Sequence, residues 1–143
     1  MTLADFIAQH NVTAKAERRT HNPNMPHAAP GMHHWCVFLR RRTTEPEGLL
    51  GLPVSVSMPV PFSQKFERVE EPTIEEVLGR LASNARTIEN CPTFEQWCSE
   101  LGMDNDSRRA ERTYETCKRQ AALLKEFLGK QAYEDLLFDT ERQ

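Results

Sequence analysis

At 143 residues with a net charge of −3, the chain is long enough for one domain with a real core. It is too weakly charged to read as a nucleic-acid wrapper or a DNA mimic. The charge is uneven: residues 1–63 carry +2, residues 64–103 carry −4 and residues 104–143 carry −1. That split predicts a mildly basic N-terminal part and a more acidic helical part.

No apolar run approaches the length of a membrane span. The start MTLADFIAQHNVTAK holds an acid at Asp5 and no basic residue before it, which argues against a signal peptide. The four cysteines, Cys36, Cys91, Cys98 and Cys117, are therefore expected as free thiols in a reducing cytoplasm.

Thr2 with Asp5 three positions on reads as a helix start, and Leu3, Phe6 and Ile7 form its apolar face. The helix ends near His10-Asn11. From Val12 to Arg19 the chain alternates. Val12, Ala14 and Ala16 point one way; Thr13, Lys15, Glu17 and Arg19 point the other. That pattern predicts a half-buried strand. Residues 20–33, THNPNMPHAAPGMH, hold three prolines, three histidines and one glycine. They are expected as a long loop, a length that is uncommon without a function or disorder.

His34 to Arg42 is the strongest predicted strand, with Trp35, Val37 and Leu39 on one face and Cys36 and Phe38 on the other. Apolar residues on both faces predict a central strand. A polar hairpin over Thr43–Gly48 leads to Leu52–Phe62, which alternates again but carries Pro59 and Pro61. Proline donates nothing to a ladder, so an edge strand is expected there.

After a charged linker, Thr73-Ile-Glu-Glu76 forms a capping box. It opens a helix whose face is Ile74, Val77, Leu78, Leu81, Ala85 and Ile88, broken at Cys91-Pro92. Thr93-Phe-Glu-Gln96 opens a short helix that Gly102 closes. Asp104 to Gly129 predicts the longest helix, capped by Asp104 and Asp106 and ended by a left-handed Gly129. Its stripe is Ala110, Tyr114, Cys117, Ala121, Leu124 and Leu128. A last helix from Lys130 to about Phe138 brings Tyr133, Leu136, Leu137 and Phe138. The reading is thus a single α+β domain over residues 1–143. A three-stranded antiparallel meander in 1–63 follows one short helix, and a helical part in 72–143 packs on it, in the order α-β-β-β-α-α-α-α.

Chemistry is sparse. His21, His27, His33, His34 and Cys36 are zinc-type ligands, but their spacing matches no zinc motif, and no metal ligand or cofactor is assigned. Cys117 on its buried stripe and Cys98 beside Trp97 read as core residues rather than nucleophiles. No catalytic residue is assigned. Arg18-Arg19 and Arg40-Arg41-Arg42 end the first two predicted strands, so an antiparallel pair sets the two clusters at opposite ends. The order α-β-β-β-α parallels that of double-stranded-RNA-binding domains, but the helix start Thr-Ile-Glu-Glu-Val repels phosphate.

Two motifs belong together: Asn22-Pro-Asn-Met-Pro26 with His34-Trp-Cys-Val-Phe-Leu-Arg-Arg41, and Phe94-Glu-Gln-Trp-Cys-Ser-Glu-Leu-Gly-Met-Asp-Asn-Asp-Ser107 running on to Phe-Leu-Gly129. They resemble a family of small proteins carried by bacteriophages, prophages and integrated mobile elements. The resemblance covers most of the chain except residues 43–65, and it carries over no catalytic or ligand-binding residue. It implies a setting in the host bacterial cytoplasm. There, such proteins bind host or phage macromolecules and in some cases inhibit a defence system, as anti-CRISPR proteins do.

The expected function is a non-enzymatic inhibitor that binds a host protein or ribonucleoprotein complex. A nucleic-acid-binding accessory protein using the Arg clusters and a metal- or thiol-dependent enzyme are the alternatives. The expected partner-binding residues are Asn22, Asn24, Met25, His27 and Met32 of the loop, with Arg40, Arg41 and Arg42 at its rim. The loop mixes hydrogen-bonding groups with flexible apolar ones, and Arg is favoured at such rims. A hairpin tip that binds nothing is the other reading of the same loop.

Overall fold

The structure is a computed structural model describing residues 1–19, 34–43, 54–59 and 70–140. At 18–19, 34–36, 42–43 and 54–59 the description is of the backbone alone. The chain divides into two compact units, one formed by Ala4–Val77 and the other by Met1–Leu3 with Leu78–Gln143.

In the first unit, helix α1 (Leu3–Gln9) buries Phe6 completely. The His10 ring lies 4.3 Å from that of Phe6, centroid to centroid. Asn11 takes a positive φ of 53°, a conformation its short polar side chain tolerates better than most. This single left-handed residue turns the helix into strand β1 (Val12–Arg19). Val12 is buried and Thr13 and Lys15 are exposed, the alternation expected of a strand with one wet face.

β1 pairs antiparallel with β2 (His34–Thr43), in a register running from Val12 opposite Arg41 to Arg19 opposite His34. β2 in turn pairs antiparallel with β3 (Val54–Pro59), from Phe38 opposite Pro59 to Thr43 opposite Val54. The strand order is β1-β2-β3. β2 thus lies in the middle, where Val37 and Leu39 are fully buried and Phe38 on the other face is half-buried. The predicted loop 20–33, the hairpin 44–48 and the ends of the third predicted strand at 52–53 and 60–62 lie outside the described residues.

Helix α2 (Ile74–Asn90) begins on the reciprocal bonds that the Thr73–Glu76 spacing predicts. The Glu76 amide donates to Thr73 Oγ1 at 3.2 Å, and the Thr73 amide donates to Glu76 Oε1 at 3.4 Å. Two donors that the helix start would otherwise orphan are satisfied. Val77, Leu78, Leu81, Ala82 and Ala85 are buried along it.

In the second unit, Thr93 caps α3 (Phe94–Leu101) by accepting from the Gln96 amide. Gly102, at φ 67° and ψ 29°, closes it. The Met103 amide returns to the Cys98 carbonyl at 2.8 Å and the Gly102 amide to the Ser99 carbonyl at 3.3 Å, the paired bonds of a Schellman end.

Helix α4 (Arg108–Leu128) has 21 residues, about 32 Å at 1.5 Å per residue. Its start differs from the expectation. Ser107, not Asp104 or Asp106, is the cap, accepting from the Ala110 amide at 3.3 Å. Asp104 instead accepts from the Asp106 amide two residues on, at 3.0 Å. That local bond is the usual competitor of a helical cap, and it holds the aspartates in the preceding turn. Ala110, Cys117, Ala121, Leu124 and Leu128 are buried as the spacing predicts; Phe127 and Gln120 are buried as well.

Gly129 has φ 85° and ψ 157°, positive in φ but extended in ψ rather than left-handed helical. Its amide keeps the helical bond, donating to the Lys125 carbonyl at 2.8 Å, and its carbonyl opens α5 (Lys130–Glu134) by accepting from the Tyr133 amide at 2.9 Å. One glycine therefore joins two helices, a conformation a side chain would strain. α5 widens into a π-helical turn over Asp135–Asp139. Tyr133, Leu136 and Leu137 are buried, but Phe138 is 48% exposed. Three consecutive residues span about 200° of a helix surface, so Leu136, Leu137 and Phe138 do not share one core face. Among the described residues the class is α+β, as the patterning predicts, with five α-helices.

Candidate functional site

The β1–β2 register decides the geometry of the basic clusters. Positions 18 and 19 fall opposite 35 and 34, while Arg40 and Arg41 fall opposite Thr13 and Val12. Six residues of strand separate the two ends, about 20 Å at 3.4 Å per residue. Along this pair the backbone sets positions 18 and 19 at the end opposite to Arg40 and Arg41. Arg40 is exposed and Arg41 is half-buried. The Arg40 carbonyl accepts from Thr13 Oγ1 at 3.5 Å, which ties the arginine end of β2 to β1. Arg42 follows in β2, opposite Ser55 of β3. The other expected partner-binding residues, Asn22, Asn24, Met25, His27 and Met32, lie outside the described residues.

Among the described residues Cys91, Cys98 and Cys117 are buried thiols that form no disulfide. They share an apolar cluster with Trp97 and Ala110, bordered by Ile88, Phe94, Met103 and Tyr114. Burial pushes the Cys98 thiol up from its ordinary range, and the carboxylates of Glu95 and Asp104 push it further. A thiol kept protonated is a poor nucleophile and a poor metal ligand. Among the described residues no group of three His, Cys, Asp or Glu side chains is placed to hold a metal ion. His34 and Cys36 belong to β2, opposite Arg19 and Glu17.

Around the same cluster three aromatic rings meet. Tyr114 lies 5.1 Å from Phe94 and 5.2 Å from Trp97, both tilted, and Lys118 Nζ sits 5.3 Å from the Tyr114 centroid. These are the offset geometries that ring quadrupoles favour, and the ammonium adds a cation–π contact. The arrangement locks α3 onto α4.

A polar seam that spacing alone does not reveal joins α2 to the C-terminal helix. Arg86 Nε donates to the Leu137 carbonyl at 2.6 Å, and Arg86 Nη2 donates to Thr140 Oγ1 at 3.4 Å. The Thr140 hydroxyl itself donates to the Leu136 carbonyl. One turn further along α2, Glu89 Oε1 accepts from the Tyr133 hydroxyl at 2.8 Å. Burial and this carboxylate push the Tyr133 phenol well above its ordinary range. Gln120 is a second residue the stripe missed. It is 2% exposed, and among the described residues neither amide atom has a hydrogen-bond partner. One signal was readable: Gln120 stands three residues after Cys117 and four before Leu124, squarely in the apolar arc.

Among the described residues no helix is long and apolar enough to cross a membrane. No family model, curated protein or solved structure matches the chain.

Proposed function

We propose that this chain is a small non-enzymatic accessory protein of a phage or mobile element that binds a host macromolecular complex, with inhibition of a bacterial defence system such as CRISPR-Cas as its role. The setting comes from the resemblance of the 22–41 and 94–129 motifs to proteins of phages and integrated elements. The observation that carries a protein partner over a nucleic acid is the β1–β2 register, which parts positions 18–19 from Arg40 and Arg41. Tight non-specific nucleic-acid binding draws on many phosphate contacts in one field, and two short clusters at opposite ends of a strand pair supply a divided one. Rim arginines beside an adaptable loop suit a protein surface. The reading includes a three-stranded meander, a helical C-terminal half, action in the host cytoplasm, and contact through Asn22, Asn24, Met25, His27, Met32 and Arg40–Arg42.

The test is plaquing efficiency of a phage on hosts whose CRISPR-Cas systems target it, with and without this chain expressed. Restored plaquing that is lost in an Arg40→Ala/Arg41→Ala/Arg42→Ala variant is the expected result. Plaquing unchanged on every targeting host removes the proposal. Binding to random DNA or RNA that falls steeply with salt would put the nucleic-acid reading in its place.

A further inference from the structure

Among the described residues β1 is an outer strand of its sheet, since the order is β1-β2-β3. An outer strand presents a row of backbone donors and acceptors that templates pairing with another chain. The other outer strand, β3, ends on Pro59, which blunts an edge. β1, VTAKAERR, holds no proline. Its wet face carries Lys15 and Glu17, whose side chains are 54% and 43% exposed and sit 3.7 Å apart.

We propose that β1 pairs antiparallel with β1 of a second copy of this chain, centred on Ala16, so that Lys15 of each copy faces Glu17 of the other. The register follows from face and charge together. Joining two copies with Val12, Ala14 and Ala16 on one side of the combined sheet requires pairing centred on a single residue, because a one-residue slip exchanges the faces. Centred on Lys15, the strand sets Lys15 against itself. Centred on Glu17, it sets Glu17 against itself and Lys15 against Arg19. Centred on Arg18, it sets Glu17 against Arg19 but also Arg18 against itself at the axis, and leaves Lys15 without a glutamate of the other copy. Centred on Ala14, it matches no opposite charges. Centred on Ala16, Lys15 meets the partner's Glu17 and Glu17 meets the partner's Lys15, with Ala16 against Ala16 at the two-fold axis. Positions 18 and 19 then fall opposite Ala14 and Thr13, so no like charges meet across the join.

Directly opposed cross-strand pairs are the unit of sheet stabilisation, and like charges there destabilise. A lone lysine in an edge strand ordinarily discourages such pairing. Each lysine already lies 3.7 Å from Glu17 of its own chain, and only this register adds a glutamate of the other copy, so the same residue selects that register. The contact is isologous and closes as a dimer. It is independent of the host partner proposed above.

The experiment measures the mass of the purified full chain by sedimentation across a concentration series. A concentration-dependent rise from 16.5 kDa to about twice that value is expected, weakening with salt. Lys15→Glu sets two acids against two acids, and Glu17→Lys sets two bases against two bases. Each is expected to raise the dissociation constant on the order of tenfold or more. Mixing the two variants restores opposite charges at both positions, so a heterodimer is expected from two chains that do not pair alone. Far-UV spectra of each variant establish that it is folded. A wild-type chain that stays monomeric throughout the series overturns the proposal. So does a mixture of the folded variants that fails to associate, or single variants that dimerise as well as the wild type.

Discussion

Arg86 and Leu137 are 51 residues apart, and the Arg86 guanidinium donates to the Leu137 carbonyl at 2.6 Å. The carbonyl belongs to the π-helical turn that ends the last helix, where backbone acceptors lack intrahelical donors. Arg86 fills that vacancy from α2 and uses the rest of its fork on Thr140.

Arg86→Met keeps much of the aliphatic stem and removes the donors. It leaves a partly buried carbonyl unpaired, a change expected to cost about 1.5–3 kcal/mol. Urea unfolding of the variant beside the wild type measures it. An unchanged midpoint would show that water replaces the guanidinium without loss.

Gln120 makes the opposite case. Its two amide atoms are buried without partners among the described residues, so an apolar residue of similar length should improve the core. Gln120→Met is expected to raise stability by about 1–2 kcal/mol. A lower melting temperature would mean that the amide is satisfied by ordered water in solution.

Tyr133 sets a dependence on alkaline pH. Its phenol is raised in the folded chain by burial and by the Glu89 carboxylate, so the folded state holds this proton more tightly than the unfolded state. The resulting stability is full below about pH 10, the ordinary tyrosine value. It is lost as pH rises above that value towards the folded one. Tyr133→Phe is expected to cost about 1 kcal/mol at neutral pH through the lost bond to Glu89, and to flatten the decline above pH 10. Melting curves from pH 7 to 11 on both proteins distinguish this from a general alkaline effect, which both would share equally.

The proposed contact loop has its own test. Replacing residues 22–30 with a short Gly/Ser linker removes Asn22, Asn24, Met25 and His27 together, and loop length by itself contributes little to stability. The variant is expected to melt as the wild type does and to lose plaque protection. Retained protection with a normal melt would move the site to the exposed faces of the helices beyond Thr93.

How much of this was legible beforehand follows from the range of each interaction. Thr73 with Glu76, Thr93 with Gln96, and Gly102 with Ser99 are bonds between residues three apart. Their geometry is encoded in local sequence, and α2 and α3 begin and end where the spacing places them. The alternation of Val12 to Arg19 likewise states its own strand. The start of α4 was less legible because Asp104, Asp106 and Ser107 are all competent caps, and only the Asp104–Asp106 turn settles which one serves. The expected site was read from composition, and its residues from Asn22 to Met32 lie outside the described residues; for the arginines, antiparallel registry parts Arg40 and Arg41 from positions 18 and 19.

Tertiary packing decided the rest. Glu89 and Tyr133 are 44 residues apart, and no periodicity within either helix identifies the other as its partner. That Gln120 lies inside and Phe138 outside depends on how wide an arc of each helix is covered. Hydrophobicity alone ranks these two residues the other way. Local bonds and alternation are properties of a segment and can be read from it. Coverage and long-range polar pairing are properties of what packs against the segment, and only the folded chain supplies that.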